Sequence, residues 1–472
     1  MERAFDVVVI GAGPAGEVLA GRLSERGKHV AIVERELVGG ECSFYACMPS
    51  KALLRPAEIL REVARVPGAA QAVTGELDVA AVLARRDEII NALNDSKQEP
   101  WLHARNIELV RGHARLDGER RVRVGDEVLL ARNAVVIAVG SGALIPPIPG
   151  LAEAGAWSNR EITTSREVPA RLVVLGGGVV GVEMAQAWAS LGAKVTVIEA
   201  MDGLLPREEP IAGQELRSSL EQLGVDVRTG VRANAVDREG DEVTVQLEDG
   251  SAVVGDRLLI AIGRKPLTEG IGLESVGVPA GGYVEVDRHL QVPDLPWLYA
   301  VGDVNGRSLL THSGKYQARI AADHILGENA VATSDGPGAP RVVFTDPQVA
   351  AVGLTFAAAL HAGVAAEAID LPTGGTAGAS FYGRGAPGTT RFVVDVEHEV
   401  LVGATFVGPE VADLLHAATI AIVAEVPLAK LAHAVAPFPT RSELWLKFIE
   451  AYEQHRATSL HASRALLSLS QA

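Results

Sequence analysis

Cys42 and Cys47 are the two cysteines of this chain, and they lie five positions apart in a segment that ends at Lys51. A structural disulfide stabilises most when it closes a long loop, whereas this pair would close a very short one. Inert thiols or half of a zinc site are the alternatives, but zinc needs further Cys or clustered His ligands, and the neighbouring sequence has none. The residue types and their spacing therefore favour a redox-active thiol pair with no metal.

The backbone between the two cysteines must be irregular if they are to form a disulfide. Five residues of regular helix advance about 7.5 Å, whereas the Cα atoms of a disulfide lie at most about 6.8 Å apart. We therefore expect a distorted first helical turn between Cys42 and Cys47.

Two glycine-rich segments of the chain have the pattern of dinucleotide-binding sites, and the first of them precedes the cysteine pair. Residues 6–10 predict a buried parallel strand that runs into the turn at residues 11–16, and a helical pattern follows to Arg26. A second strand, at residues 29–33, ends at Glu34. This order predicts a dinucleotide site, because the glycines allow a tight turn, the phosphate meets the helix N-terminus and the acid binds ribose. Its residues are Gly11, Gly13, Pro14, Ala15, Gly16 and Glu34.

The same order of elements recurs downstream. Residues 171–175 predict a strand, residues 176–181 the turn, residues 182–191 the helix and residues 194–198 the second strand, which Glu199 follows. The predicted dinucleotide-binding residues are Gly176, Gly178, Val180, Gly181 and Glu199. A carboxylate at Glu199 favours a ribose 2′-hydroxyl and repels a 2′-phosphate, so NADH is expected in preference to NADPH. Arg207 lies close enough in sequence to weaken that preference.

The composition restricts the class of protein. The 472 residues suffice for two or three domains, and abundant Gly with few aromatic residues fits a large α/β enzyme. The net charge of −16 argues against nucleic acid and anionic membranes as partners. A strand pattern begins almost at once, which leaves no room for a signal peptide, so we expect a cytoplasmic protein. Residues 414–423 form the longest apolar run, which is shorter than the roughly 20 residues of a membrane span. We expect a buried helix there.

These segments together resemble the flavoprotein pyridine nucleotide–disulfide oxidoreductases. That family includes dihydrolipoamide dehydrogenase, glutathione reductase and mercuric reductase, disulfide oxidoreductases of the EC 1.8.1 type. The resemblance covers nearly the whole chain. It rests on the two glycine-rich fingerprints, on Cys-x4-Cys-x-Pro-Ser-Lys at residues 42–51, and on residues 261–264, 299–304 and 439–443.

The resemblance implies an α/β fold with two Rossmann-like domains and a C-terminal α+β interface domain. The FAD-binding domain would take residues 1–150 and 278–335, the NAD(P)-binding domain residues 151–277, and the dimerisation domain residues 338–472. A homodimer is implied, in which the C-terminal residues of one subunit complete the disulfide pocket of the other.

The resemblance also implies the roles of individual residues. FAD would be held by the first fingerprint with Glu34, Gly40, Gly140 and Asp303, and NADH by the second fingerprint with Gly263. Lys51 and Glu183 would form an ion pair beside the flavin. Electrons would pass from NADH through FAD to a Cys42–Cys47 disulfide and on to a small-molecule acceptor. Cys47 would be the thiolate facing the flavin and Cys42 the thiol that exchanges with the acceptor.

The C-terminal motif departs from the family pattern. Disulfide-reducing members carry a His directly before Pro-Thr, where this chain has Phe438, although Glu443 is kept. Loss of a positioned acid–base group typically costs about 10²–10⁴ in rate. Ordinary lipoamide or glutathione turnover is therefore not expected.

Several functions remain open at this stage. We favour an FAD-dependent NADH oxidoreductase with a working cysteine pair. One alternative is a reductase of quinones or metal ions that uses the flavin directly. Another resembles 2-ketopropyl-coenzyme M oxidoreductase/carboxylase, where Phe also replaces the base and a thioether is cleaved. A thiol–disulfide enzyme would need a substitute base such as Tyr45, His416 or His433. The non-enzymatic alternative is a flavin-based redox sensor.

Overall fold

The computed structural model describes residues 1–386 and 388–469. Pro387 and residues 470–472, which the predicted dimerisation domain includes, lie outside the described residues. The chain folds into two compact units. The first comprises Met1–Leu53, Asp78–Ala200 and Val231–Ala339, and the second comprises Leu54–Leu77, Met201–Gly230 and the chain from Pro340 onward.

The helices of the described residues follow one another along the chain as α1 (Pro14–Glu25), α2 (Gly40–Phe44), α3 (Cys47–Arg65), α4 (Val79–Ile89), α5 (Glu99–His103), α6 (Asn159–Thr164), α7 (Val179–Ser190), α8 (Pro210–Gln222), α9 (Thr311–Ile325), α10 (Phe356–His361), α11 (Leu415–Val423), α12 (Leu428–Leu431) and α13 (Leu444–Leu469).

The strands are β1 (Glu2–Ile10), β2 (Val30–Glu34), β3 (Glu108–Arg111), β4 (Ala114–Leu116), β5 (Arg121–Val124), β6 (Glu127–Ile137), β7 (Ser141–Ala143), β8 (Arg171–Leu175), β9 (Lys194–Glu199), β10 (Asp226–Thr229), β11 (Ala233–Glu239), β12 (Glu242–Leu247), β13 (Ala252–Gly255), β14 (Arg257–Ile260), β15 (Arg264–Pro266), β16 (Gln291–Val292), β17 (Leu295–Ala300), β18 (Arg341–Val343), β19 (Gln348–Gly353), β20 (Ala366–Pro372), β21 (Thr389–Asp395) and β22 (Val400–Gly408).

The first unit is built on a largely parallel sheet in the order β16-β17-β6-β1-β2-β3, and β5 pairs antiparallel with the first part of β6. Strand β1 is apolar on both sides, as expected for a strand covered on both faces. Val7 and Val9 pack into a core that includes α1 and α9, whereas Val8 and Ile10 pack into the core of the opposite face. The carboxyl ends of β1 and β17 therefore meet at one edge, where the first glycine-rich turn begins.

A second set of parallel strands lies within the first unit. Strand β8 pairs in parallel with β9 and with β14, and α7 connects β8 to β9. The antiparallel strands β11, β12 and β13 pack against it through a shared apolar core. This βαβ order is the one that the second fingerprint predicts.

The second unit contains a five-stranded antiparallel sheet in the order β18-β19-β22-β21-β20. Helices α11 and α13 cover this sheet, and their apolar side chains share a core with it. Phe392 and Phe448 stack at 4.2 Å between ring centroids, and Phe406 meets Phe392 edge to face at 5.6 Å. An antiparallel sheet covered by helices is an α+β arrangement, as predicted for the C-terminal region.

The helix predicted at residues 414–423 forms as α11, but the prediction that it is buried is wrong for one of its faces. Ile420 and Val423 are 55% and 59% exposed. The helix covers its own sheet with only one face, so its high hydropathy does not reflect burial on all sides. None of the helices that the structure describes combines the length and apolar character needed to span a membrane.

Candidate active site

The first glycine-rich turn forms an anion-binding cradle. Gly11 has a φ of +104°, and a Cβ added there would lie 2.5 Å from Ala138 O. A Cβ on Gly16 would lie 2.0 Å from Gly11 O, whereas one on Gly13 would meet nothing within 4 Å. Helix α1 begins at Pro14 without a side-chain cap. The free N–H groups at its start therefore face an open space that suits a phosphate.

Glu34 is fixed at the end of β2 beside this turn. Its carboxylate accepts hydrogen bonds from Ala12 N at 2.8 Å and from Glu36 N at 2.7 Å. These contacts hold the carboxylate in one orientation, as the predicted ribose contact requires.

A cavity of about 870 Å³ opens above the cradle. It brings together predicted cofactor and redox residues from several elements, namely Gly11, Gly13, Pro14, Ala15, Glu34, Gly40, Cys42, Gly140 and Asp303. Gly16 lies under the turn and packs against Gly11 instead. The fixed Glu34 carboxylate and the uncapped helix match the two ends of an ADP moiety. The residues present therefore fit FAD.

Asp303 lies at the far side of this cavity, directly after β17. Ser141 Oγ donates a hydrogen bond to its carboxylate at 2.5 Å, and Arg264 Nε lies 3.7 Å away. Burial raises the pKa of Asp303, and the Ser141 hydrogen bond and the Arg264 charge oppose that rise. The sequence motif at residues 261–264 includes Arg264, but neither contact was predicted.

The two cysteines lie where one helix ends and the next begins. Cys42 is in α2, which ends at Phe44, and Cys47 is the first residue of α3. The break supplies the irregular backbone that the spacing requires. The cysteines are free thiols in this structure.

The pKa values of the two cysteines are shifted in opposite directions. The hydrogen bond from Cys42, the Thr311 hydroxyl and the Lys51 charge together lower the pKa of Cys47 to about 6, against the opposing effect of burial. The same hydrogen bond and burial raise the pKa of Cys42. Cys47 is therefore the first of the two to ionise, and its thiolate accepts the Cys42 hydrogen bond.

Thr311 is a site residue that sequence reasoning missed. Its Oγ1 lies 3.4 Å from Cys47 Sγ, at the first turn of α9. The two residues are 264 positions apart, and no spacing rule links them.

Lys51 and Glu183 form the ion pair that the resemblance implied. Lys51 Nζ lies 2.7 Å from a Glu183 carboxylate oxygen, and the Glu183 side chain is only 3% exposed. Lys51 is on α3 and Glu183 is on α7, 132 positions away in sequence. Their position beside the flavin remains a proposal.

A further set of contacts anchors the cysteine segment. Arg160 Nε donates to Glu41 at 2.5 Å, and its guanidinium lies 4.6 Å from the centroid of the Tyr45 ring. Asn159 Nδ2 donates to Glu41 at 2.7 Å and to Tyr45 O at 2.9 Å. Burial raises the pKa of Tyr45, which disfavours its phenolate. This geometry makes Tyr45 an anchored wall of the cavity.

The second glycine-rich turn repeats the geometry of the first. A Cβ on Gly176 would lie 2.4 Å from Ala261 O, and one on Gly181 would lie 1.9 Å from Gly176 O. Gly178 faces open space, and Glu199 accepts a hydrogen bond from Gly177 N at 2.6 Å. This turn therefore suits a second dinucleotide.

Two details around the second turn add to the sequence prediction. Helix α7 begins at Val179, so Val180 and Gly181 belong to its first turn and not to the loop before it. Gly263 has a φ of +150°, and a Cβ added there would lie 3.7 Å from Leu144 Cδ2.

Phe438 and Glu443 lie in the second unit. Phe438 is 76% exposed, and Glu443 accepts a weak hydrogen bond from Gly378 N at 3.4 Å. His416 and His433, the two imidazoles considered as substitute bases, are also exposed and belong to the same unit. The structure therefore places none of these four residues within the first unit, which contains both cysteines.

The chain belongs to the pyridine nucleotide–disulphide oxidoreductases. The family model of that description matches residues 5–322, and the model of the family's dimerisation domain matches residues 339–448. Members of this family are enzymes that depend on FAD and use NAD(P)H.

Particular relatives are similar over nearly the whole chain. Dihydrolipoyl dehydrogenase of Thermus scotoductus is 34% identical, over 95% of this chain and 97% of that protein. Mercuric reductase of Staphylococcus aureus is 30% identical, over 93% of this chain and 81% of that protein. The solved structure of the HOCl-induced flavoprotein disulfide reductase RclA from Escherichia coli, as a Cu(II) complex, has a TM-score of 0.84 at 27% identity and covers 95% of this chain and 99% of that chain. These comparisons establish a flavoprotein disulfide oxidoreductase and leave its acceptor open.

Proposed function

We propose that this protein is an NADH oxidoreductase that passes two electrons through the Cys42–Cys47 pair to a small-molecule acceptor. The observation that carries the proposal is the pair of thiols at the break between α2 and α3, where Cys42 lines a cavity that fits FAD and Cys47 contacts the Thr311 hydroxyl, with the pKa of Cys47 lowered to about 6. A thiol with a pKa this low is largely thiolate at neutral pH, and the thiolate is the reactive form. Two inert thiols would not need an environment that favours the thiolate form.

The groups at and around the Cys42–Cys47 pair have different roles in the proposed reaction. Bound FAD would supply two-electron chemistry between the nicotinamide and the sulfurs. Cys47 is held as a thiolate by Thr311 and by the Lys51 charge. Glu183 in turn fixes the Lys51 ammonium at 2.7 Å. Cys42 lines the cavity and is the thiol that would exchange with the acceptor.

The dinucleotide preference rests on Glu199. Its buried carboxylate is held by Gly177 N at 2.6 Å, so it cannot readily turn away from a ribose. We infer that a 2′-phosphate at this place would meet a fixed negative charge, which favours NADH over NADPH.

Glu199→Gln is expected to lower the ratio of kcat/KM for NADH to kcat/KM for NADPH by about tenfold or more, because the amide oxygen still accepts from Gly177 N while the charge is removed. Steady-state kinetics with both nucleotides and one dye acceptor measure the ratio. Glu34→Gln is the matched control, since the same change in the first fingerprint should alter FAD retention and leave the nucleotide ratio unchanged. An unchanged ratio in Glu199→Gln would remove Glu199 from the specificity argument.

We also infer a homodimer with a shared site. The second unit matches the family's dimerisation domain and exposes apolar side chains on α11 and on the segment before α13, among them Ile420, Val423, Val435 and Phe438. Exposed apolar side chains of this number are typical of a surface that a partner covers. By the family resemblance, Phe438 of a second copy would complete the acceptor pocket next to Cys42.

Anaerobic titration of the FAD-loaded protein with NADH, followed by visible absorbance, tests the proposed function. About two electrons are expected to produce a long-wavelength charge-transfer band, which requires the Cys47 thiolate next to oxidised flavin. Because the thiolate is the charged form, the band should be lost as the pH falls through about 6. Bleaching of the flavin without such a band would instead favour direct electron transfer to quinones, metal ions or oxygen.

A further inference from the structure

Helix α9 presents a cation next to the cysteine pair. Thr311, in its first turn, contacts Cys47 Sγ at 3.4 Å, and Thr311 and Gly314 line the same cavity as Cys42. Lys315 follows Thr311 by four positions and therefore lies on the same face of the helix, one turn further on. The Lys315 side chain is exposed. Lys315 therefore lies one helical turn beyond the residue that contacts Cys47, on the same face of α9.

Helix α1 runs parallel to α9 and brings its own first turn to the same place. Arg22 forms a bidentate ion pair with Asp323 at 2.5 and 2.8 Å, and Arg26 Nη1 lies 3.5 Å from Glu328. At the other end, a Cβ on Gly314 would lie 3.4 Å from the Ala15 side chain. The beginnings of both helices therefore meet at the cavity.

Among the described residues, the charge on Lys315 is not neutralised by an ion pair, unlike the charges on Arg22 and Arg26 of the neighbouring helix α1. Arg22 and Arg26 are paired with acids of α9 and of the residues after it, whereas Lys315 forms no ion pair within 4.0 Å in the part of the chain that the structure describes. The Lys315 charge acts to lower the pKa of the Cys42 thiol and also that of Glu17. Burial nevertheless raises the pKa of Glu17 to about 7. Lys315 therefore acts electrostatically on the thiol that lacks an acid–base partner.

We propose that Lys315 is the cation that stabilises the Cys42 thiolate during exchange with the acceptor, in the role that the missing C-terminal imidazole would otherwise fill. The inference rests on the proposed function, in which Cys42 is the exchanging thiol. The step is an acid dissociation: the Cys42 S–H bond breaks, the proton leaves to solvent, and the negative charge on sulfur is held by the ammonium. No oxidant is needed until the acceptor arrives.

The charged and titratable groups around this step come from several elements. On the helices they are Glu41 of α2, Cys47 and Lys51 of α3, Glu17 of α1, Glu183 of α7, and Lys315 of α9. The cavity that Cys42 lines is also lined by Glu34, Arg35, Glu36, Tyr45, Arg160, Arg264 and Asp303. Cys47 and burial raise the pKa of Cys42, whereas the Thr311 hydroxyl and the Lys315 charge lower it. Removal of Cys47 takes away the largest opposing effect, and a substitution of Lys315 in that background then changes the Lys315 charge while Thr311 stays in place.

The test uses the FAD-loaded protein in a Cys47→Ala background, where Cys42 is the single remaining thiol. The rate of alkylation by iodoacetamide, a neutral reagent, is measured over a pH series. Lys315→Met and Lys315→Gln are each expected to raise the apparent pKa of Cys42 by about 0.5–1 unit, which lowers the alkylation rate below that pKa about three- to tenfold. Lys315→Arg should restore the profile to within about twofold, because it keeps the charge.

Arg319→Met is the matched control. Arg319 is exposed one turn further along α9 and also forms no ion pair among the described residues, so its loss should change the rate less than about twofold. A Lys315→Met profile that superimposes on the parent, or an Arg319→Met shift of equal size, would overturn the proposal. The assay contains no NADH, so it can fail while the charge-transfer band is present. An absent band would remove the proposed function without altering the alkylation profile.

Discussion

NADH-dependent reduction of an activated disulfide acceptor is expected to fall by at least about 10³-fold when Cys42 is replaced by alanine. Exchange requires a thiolate that attacks the acceptor and a second sulfur that resolves the mixed disulfide, and the chain has one pair of cysteines for both tasks. FAD should remain bound, because the cradle at Gly11–Gly16 and the Glu34 carboxylate are untouched. Steady-state turnover with a small disulfide, together with the flavin absorbance, measures both quantities.

Ser43→Ala is the matched control for Cys42→Ala, since Ser43 is the next residue of the same short helix. It should leave turnover within about twofold, because a single change away from reacting groups and buried networks usually has little effect. Dye reduction by the Cys42→Ala variant should persist, because a dye can take electrons without sulfur exchange. If disulfide turnover survived in this variant, the acceptor would not be reduced through the cysteine pair.

The parts of the site that follow from local sequence could be predicted. The two glycine-rich turns were found because sterics within a few residues dictate them. Gly16 must lack a Cβ so that α1 can pack on Gly11 O, and Gly181 repeats this against Gly176 O. The break between Cys42 and Cys47 followed from the same kind of local geometry, since a regular helix cannot bring their Cα atoms within disulfide range.

The parts of the site that depend on tertiary structure could not be predicted from the residues alone. The Lys51–Glu183 pair spans 132 positions and was expected only through the family resemblance. The Thr311 contact with Cys47 spans 264 positions, and nothing in the local pattern distinguishes this threonine from a helix cap. A lysine in a helical pattern normally indicates a solvated face, so nothing in the local sequence marks Lys315 as a partner of Cys42.

The hydropathy of residues 414–423 did not predict that α11 has an exposed face. An apolar run of ten residues is compatible with burial by the same chain or with burial by another subunit, and the sequence pattern is identical in both cases. The exposure of Ile420 and Val423 in the single chain, within a region that matches the family's dimerisation domain, supports the second explanation. The same reasoning applies to Phe438, whose 76% exposure is unusual for a phenylalanine of a folded domain.

Phe438→His is expected to raise turnover of a small disulfide such as oxidised lipoamide by about 10²-fold or more, because it would return a positioned acid–base group to the pocket. Glu443 is already present to hold the imidazole, and its contact with Gly378 N at 3.4 Å is weak enough to yield to a stronger partner. The gain should appear in kcat and should carry a new pH dependence near the usual pKa of His, about 6.5. A gain of function is more informative here than a loss, since it cannot result from misfolding.

Val435→His is the control for this gain, because Val435 is exposed in the same segment and lies three positions earlier. It should leave turnover unchanged if the position of the imidazole matters. An increase in Phe438→His alone would place residue 438 of a second copy at the exchanging thiol, and would show that the native acceptor does not require proton transfer by an imidazole. If neither variant gains activity while the Lys315 variants shift Cys42, the cation on α9 would be sufficient for the exchange that this pocket performs. The natural acceptor would then be one whose reduction needs no protonation of a leaving thiolate, which favours an activated disulfide or a metal ion over a dialkyl disulfide.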